Sequence, residues 1–360
     1  MDFQIERVFK GPGFAETLYL CVCNGQRIIR KVSNPDARAF SRTALVREIR
    51  LLLGLPSELK PFFPEVIRTN LGSQAEDSPD LPDIIFYDMP YYPPEDGWVT
   101  LSTSLLEGGI NMKEAHRVLG EILDTAFLYF TLDNCEPAGD YAETTMLRAI
   151  RESLAFTAKD NDLCGLLNIK NWRISGRSVC NFADIEDYFQ DTSRMRSILT
   201  PQHNRFLHGD FFPENILYNR KLKRWILLDP VSVRGVHRGD FVLDINKMDD
   251  WLSGELPALR MGRFAVDVNQ NNVEFAIHTR SGELDNLHQL GLTDWYKERL
   301  TDPSYAGVFS REPGWELRYL FVKVFYSTSM LPLADKQQAV ARYFLALRTM
   351  AEFIERLENR

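Results

Sequence analysis

Along residues 3–33 the apolar and polar positions alternate with a period close to two. FQIERVF, LYLCVC and RIIRKV are β-rich runs, and Asn24-Gly25 between the last two predicts a tight hairpin. The segment GPGFAET carries Gly11 and Gly13, which let a backbone approach a ligand closely and turn its amides toward phosphate oxygens. A GxG between strands is also an ordinary tight turn, and Pro12 removes one amide donor. From Asp36 the period becomes helical. In DARAFSRTALVREIRLLLGL, Ala44, Leu45, Ile49, Leu52 and Leu53 mark one apolar face, and Gly54 and Pro56 mark the end. FFPEVIRTN and DIIFYDMPYY return to strand character around the polar loop GSQAEDSPDLPD. Residues 1–90 thus predict about five strands and one helix.

The Pro-rich stretch MPYYPPEDGW predicts a connection at about residues 88–99, after which helical periods dominate. Apolar NMKEAHRVLGEILDTAFLYFTL, then YAETTMLRAIRESLAFTAK, ADIEDYFQDTSRMRSIL, GWELRYLFVKVFYSTSM and DKQQAVARYFLALRTMAEFIERL all read as helices. Two hairpins interrupt them, one around Ser175-Gly176 and one over about 263–280, where FAVDV and VEFAIHT flank NQNN. The second reads either as a cover for an acceptor or as a packed surface excursion. Glu316, Arg318 and Tyr326 are acceptor-facing candidates among core neighbours. Strands with one helix followed by many helices predict an α+β chain. Its 360 residues suit two lobes, 1–90 and 91–360.

Composition narrows the class without changing this picture. Apolar residues make up 44% and charged residues 26%, as in ordinary globular chains. No run of eighteen apolar residues occurs, and the start MDFQIERVFKGPGF lacks a basic region followed by an apolar one, so neither a membrane span nor secretion is expected. A net charge of −8 argues against a broad nucleic-acid surface. Cys21, Cys23, Cys135, Cys164 and Cys180 are odd in number and lack metal-ligand spacing, which makes a reducing cytoplasm the simplest setting.

The chemistry concentrates between His208 and Asp229, in HGDFFPENILYNRKLKRWILLD. A turn, HGD, leads through FFPEN to the strand ILY, and a polar turn brings back WILL, which ends on Asp229. Asp210 and Asn215 share one loop, so with Asp229 three oxygen-bearing side chains can meet at one point. Hard oxygen donors of this kind suit Mg²⁺ bound together with substrate phosphates, and no Cys accompanies them. Upstream, Arg30 and Lys31 are adjacent and face opposite sides of a strand, leaving open which one points inward. Glu48 either pairs with that inward base or stays exposed beside Arg47 and Arg50. Asp240 and Asp244 read as buried anchors for Arg234, Arg238 or loop amides.

HGDFFPEN resembles the HGDxxxxN loop of the aminoglycoside phosphotransferase and choline kinase superfamily, small-molecule kinases with a protein-kinase-like fold. Asp229 stands where that family has its second metal-binding Asp, and RGDFVLDINKM is similar to the family's GD and following helix. The resemblance implies a bilobal kinase-like fold, with a nucleotide-binding N-terminal lobe and a larger helical lobe for catalysis and the acceptor. It implies Asp210 as general base and Asn215 and Asp229 as Mg²⁺ ligands. Lys31, ahead of Arg30, would hold the nucleotide phosphates with Glu48 as partner. Gly11 and Gly13 would cover those phosphates, and the backbone at Asp88, Met89 and Tyr91 would take the base of ATP or GTP. His208 would support the loop. The activity implied is transfer of the γ-phosphate to a hydroxyl of a small molecule, since Pro230 follows the strand Asp and no Ala-Pro-Glu segment follows it. Two rivals differ in cost: a regulatory nucleotide-binding module with lost catalysis would not turn over ATP, and a metal-dependent hydrolase would not consume it.

Overall fold

The computed structural model describes residues 3–9, 16–34, 38–72, 81–132, 134–160, 163–182, 192–231 and 237–359. They form two compact units, Met1–Ser104 with His208–His237, and Leu105–Leu207 with Arg238–Arg360. The segment holding the HGD loop therefore belongs to the same unit as the N-terminal strands, although a hundred residues of chain separate them.

In the first unit, β1 (Phe3–Phe9), β2 (Glu16–Cys23), β3 (Gln26–Ser33), α1 (Arg38–Gly54), β4 (Arg68–Thr69) and β5 (Phe86–Pro90) follow one another. The strands make an antiparallel sheet in the order β1-β2-β3-β5-β4. Asn24 and Gly25 both take positive φ, 51° and 80°. That is the two-residue turn whose twist matches its flanking strands, and Asn-Gly adopts it at low cost. FFPEVIRTN departs from its expected strand: a 3₁₀ turn covers Lys60–Phe62 and only Arg68–Thr69 pairs with β5. Pro61 and Pro64 have no amide hydrogen to give a ladder, which explains the loss. A second small sheet of this unit joins Trp98–Thr100, Ile216–Asn219 and Arg224–Leu227.

The second unit is mainly helical. Helix Met112–Leu132 buries Val118, Leu119, Ile122, Leu123, Ala126 and Phe130, the spacing of one helical face. Each large aliphatic side chain so removed from water contributes about 1.5–3 kcal/mol. Helices Trp315–Ser329 and Lys336–Glu358 pack against each other at the C-terminal end. The two expected hairpins form at Asn171–Cys180 and Phe264–Ile277. They also join into one sheet through parallel pairing of Asn272 and Val273 with Arg173 and Ile174. Trp172 and Phe275 from this sheet meet Phe344 of the last helix. Among the described residues no helix is long and apolar enough to cross a membrane.

Candidate active site

Strand alternation resolves the Arg30/Lys31 ambiguity. Lys31 lies opposite Leu18 and Tyr87 in the register of β2 and β5, and it turns toward α1. Its Nζ donates to Glu48 Oε2 at 2.7 Å and to Asp229 Oδ1, while Tyr87 Oη donates to the other Glu48 oxygen at 2.7 Å. Lys31 and Glu48 are 4% and 5% exposed, so this is a desolvated ion pair rather than a surface one. Arg30, on the other face, is held elsewhere. Its Nε and Nη2 donate to the two oxygens of Asp88 at 2.7 and 3.0 Å, its guanidinium lies 4.1 Å over Phe86, and Arg68 Nε shares Asp88 Oδ2 at 2.8 Å.

The HGD loop is pinned by backbone and ring contacts. Gly209 has φ 82°, and a Cβ there would stand 1.8 Å from the carbonyl oxygen of Val231. The clash follows from how closely residues 208 and 231 approach, for Val231 N–H donates to His208 O at 2.8 Å. The fully buried His208 ring stacks beside Phe63, and its Nδ1 accepts from the Asp210 amide at 3.3 Å. His208 thus supports the loop from within. Gly209→Ala combines a left-handed φ with a backbone clash, and is expected to cost about 2–5 kcal/mol of stability. Denaturant midpoints check this, and an unchanged midpoint would mean that the loop follows another path.

Asp210 and Asn215 sit side by side: Asn215 Nδ2 donates to Asp210 Oδ2 at 2.8 Å and to Asp210 O at 3.0 Å. The same asparagine anchors the returning strand, because Leu228 N–H donates to Asn215 O at 2.7 Å. One residue later Asp229 takes φ 55°, a left-handed conformation uncommon outside glycine but tolerated by Asp. Strand Arg224–Leu227 and this turn deliver the Asp229 carboxylate to Lys31. Its side chain is 49% exposed.

Electrostatically the triad is tense. Burial pulls the Lys31 ammonium down, but Asp229 and Glu48 outweigh it and hold the group well above its ordinary range. Although half of its side chain is exposed, the dense protein around Asp229 raises it, yet the Lys31 charge and hydrogen bond more than offset this, leaving the carboxyl below its usual value. Burial wins at Glu48, which lies at about 7 despite Lys31. The sign of the linkage follows. A folded pKa above the ordinary 4.5 means that the folded chain binds more protons between pH 4.5 and about 7, so stability from this group falls as pH rises through that window. Glu48→Gln should flatten that part of the melting-temperature profile, and an unchanged slope would reject the assignment.

Of the expected site residues, Lys31 and Glu48 come together with Asp229, and Asp210 and Asn215 form a hydrogen-bonded pair. Asp88 is buried, its carboxylate holding two arginines and its carbonyl accepting from Ile67 N–H at 2.8 Å. Met89 is buried beside it, and Tyr91 is half-buried just past the end of β5. Gly11 and Gly13 lie outside the described residues. Sequence reading missed Tyr87, whose place opposite Lys31 depends on strand register. It also missed Glu16 of β2, whose carboxyl burial holds above its usual value although the Lys31 charge lowers it, and whose place depends on the register of β2 with β3. Among the described residues no group of three or more His, Cys, Asp or Glu side chains stands ready for a metal.

Asp240 and Asp244 are buried anchors in the second unit. Asp240 accepts from Arg318 Nε and from Val242 N–H, and Asp244 accepts from Tyr129 Oη at 2.9 Å. Arg318, 1% exposed, also donates to Glu312 at 2.9 Å. It is a structural cation, which corrects its reading as an acceptor-facing residue.

The architecture is an α+β fold with an antiparallel N-terminal sheet and a helical C-terminal region, and it is similar to the folds of solved small-molecule kinases. One similar solved structure is a thermostable mutant of aminoglycoside phosphotransferase APH(4)-Ia in a ternary complex with AMP-PNP and hygromycin B. It is 11% identical with a TM-score of 0.51, over 97% of this chain and 95% of that one. Another is glucosamine kinase in complex with glucosamine, ADP and inorganic phosphate, 11% identical with a TM-score of 0.50, over 99% of this chain and 83% of that one. No family model and no curated protein sequence matches this chain.

Proposed function

We propose that the protein is an ATP-dependent phosphotransferase that moves the γ-phosphate to a hydroxyl of a small molecule. The observation that carries this reading is Lys31, a buried ammonium shared between Glu48 of α1 and Asp229 beyond the HGD loop. A fixed cation between two carboxylates, one buried and one open, suits a reaction that asks mainly for positioning and for charge on the transferring group. Residues 1–90 would hold the nucleotide, and 91–360 would provide the catalytic loop and the acceptor side. The small-molecule ligands of the two similar structures support the same class of acceptor.

In this reading Lys31 contacts the nucleotide phosphates, Glu48 keeps it in place, and Arg30 serves the sheet through Asp88. Asp210 orients and deprotonates the acceptor hydroxyl. Its carboxylate is fixed by Asn215 Nδ2, which leaves Asn215 Oδ1 and the second oxygen of Asp229 as two hard donors. That donor set fits Mg²⁺, which binds through few protein oxygens and completes its shell with water and phosphate. The ion, when bound, would neutralise charge on the phosphates. The reading is tested by measuring ATP consumption across a library of hydroxylated metabolites. Saturable, acceptor-dependent ADP formation supports it, whereas product release without ATP use would favour a hydrolase.

A further inference from the structure

Remote from this chemistry in sequence, helix Lys336–Glu358 carries Arg342, which is 6% exposed. Among the described residues its guanidinium has no hydrogen-bond acceptor and no ion-pair partner, and its Nε is fully enclosed. Burying an unpaired charge costs several kcal/mol, so buried arginines are ordinarily paired. Burial, and then the nearby Arg260, pull this one down to about 10, which leaves it charged at neutral pH. Asp250 and then Asp335 attract it, but neither forms an ion pair with it. Asp250 pairs with Lys323 at 3.2 Å, and Glu255 with Lys323 and, at 3.3 Å, with Arg348.

What Arg342 faces is a cavity of about 50 Å³ within the second unit, about four times the space one water needs. Lys247, Arg260 and Arg342 line it against Asp250 and Glu255, leaving one net positive charge. The rest of the wall is largely apolar, with Leu259, Met330 and Leu345. A planar guanidinium matches a carboxylate bidentately, one negative charge balances the lining, and the apolar wall suits a short hydrocarbon body. We propose that this cavity is a binding site for a monocarboxylate with a small branched apolar body, held by Arg342. The site is independent of the phosphotransfer reading.

Isothermal titration calorimetry of the full chain with isobutyrate tests it. Saturable binding of isobutyrate is expected, with none of the isosteric neutral isobutyramide. Arg342→Leu should weaken isobutyrate by at least about tenfold, the loss expected of a charge-assisted hydrogen bond. Met330→Phe, which adds bulk to the cavity lining and leaves Arg342 intact, should do the same and serves if the leucine variant does not fold. No isobutyrate binding, equal binding of the amide, tighter binding of inorganic phosphate, or unchanged affinity in either variant would overturn the proposal.

Discussion

Asp210→Asn is expected to lower phosphate transfer to a genuine acceptor by about two to four orders of magnitude, the usual contribution of a positioned general base. The substitution keeps size and a carbonyl oxygen that can still accept from Asn215 Nδ2, so the loop should hold its shape. Nucleotide affinity should stay within about twofold, because Lys31, Glu48 and Asp229 are untouched. The measurement is steady-state turnover with an acceptor found in the metabolite screen, alongside calorimetry with ATP and Mg²⁺. Full turnover would remove Asp210 from the reaction. A fall in nucleotide affinity equal to the fall in rate would make it a binding residue instead.

Asp229→Ala should act on binding. Losing a charged metal ligand is expected to weaken Mg²⁺-dependent nucleotide affinity by at least about a hundredfold, which is about 3 kcal/mol. Calorimetry with and without Mg²⁺ separates this from a general loss of structure. The parent should bind more tightly with the metal, and the variant should show little difference between the two conditions. Folding should survive, since Lys31 keeps Glu48 as a buried partner. An undiminished response to Mg²⁺ in the variant would place the ion elsewhere.

Much of this was legible in the sequence, for identifiable reasons. Period-two alternation marked β2 and β3, and Asn24-Gly25 named its own turn, because both depend on residues close in the chain. The HGD loop was readable for the same reason: His208, Gly209, Asp210 and Asn215 interact with one another across a handful of residues. What depended on long-range register was not readable. Arg30 and Lys31 exchange faces with a one-residue slip, and only the pairing of β3 with β5 sends one to Asp88 and the other to Glu48. Asp240 finds Arg318 across 78 residues, a separation at which nearby arginines in sequence were better candidates by proximity alone. The two hairpins likewise gave no hint that they would share a parallel strand pair.

The shared grip of Lys31 on Asp229 has a consequence for every affinity measured on this protein. In the free chain the ammonium neutralises the carboxylate through one of its oxygens, so the protein carries an internal counterion in that place. A divalent ion taken up through the other oxygen, as proposed, would share the carboxylate with the ammonium, and its observed affinity would be the intrinsic one reduced by the repulsion between the two cations.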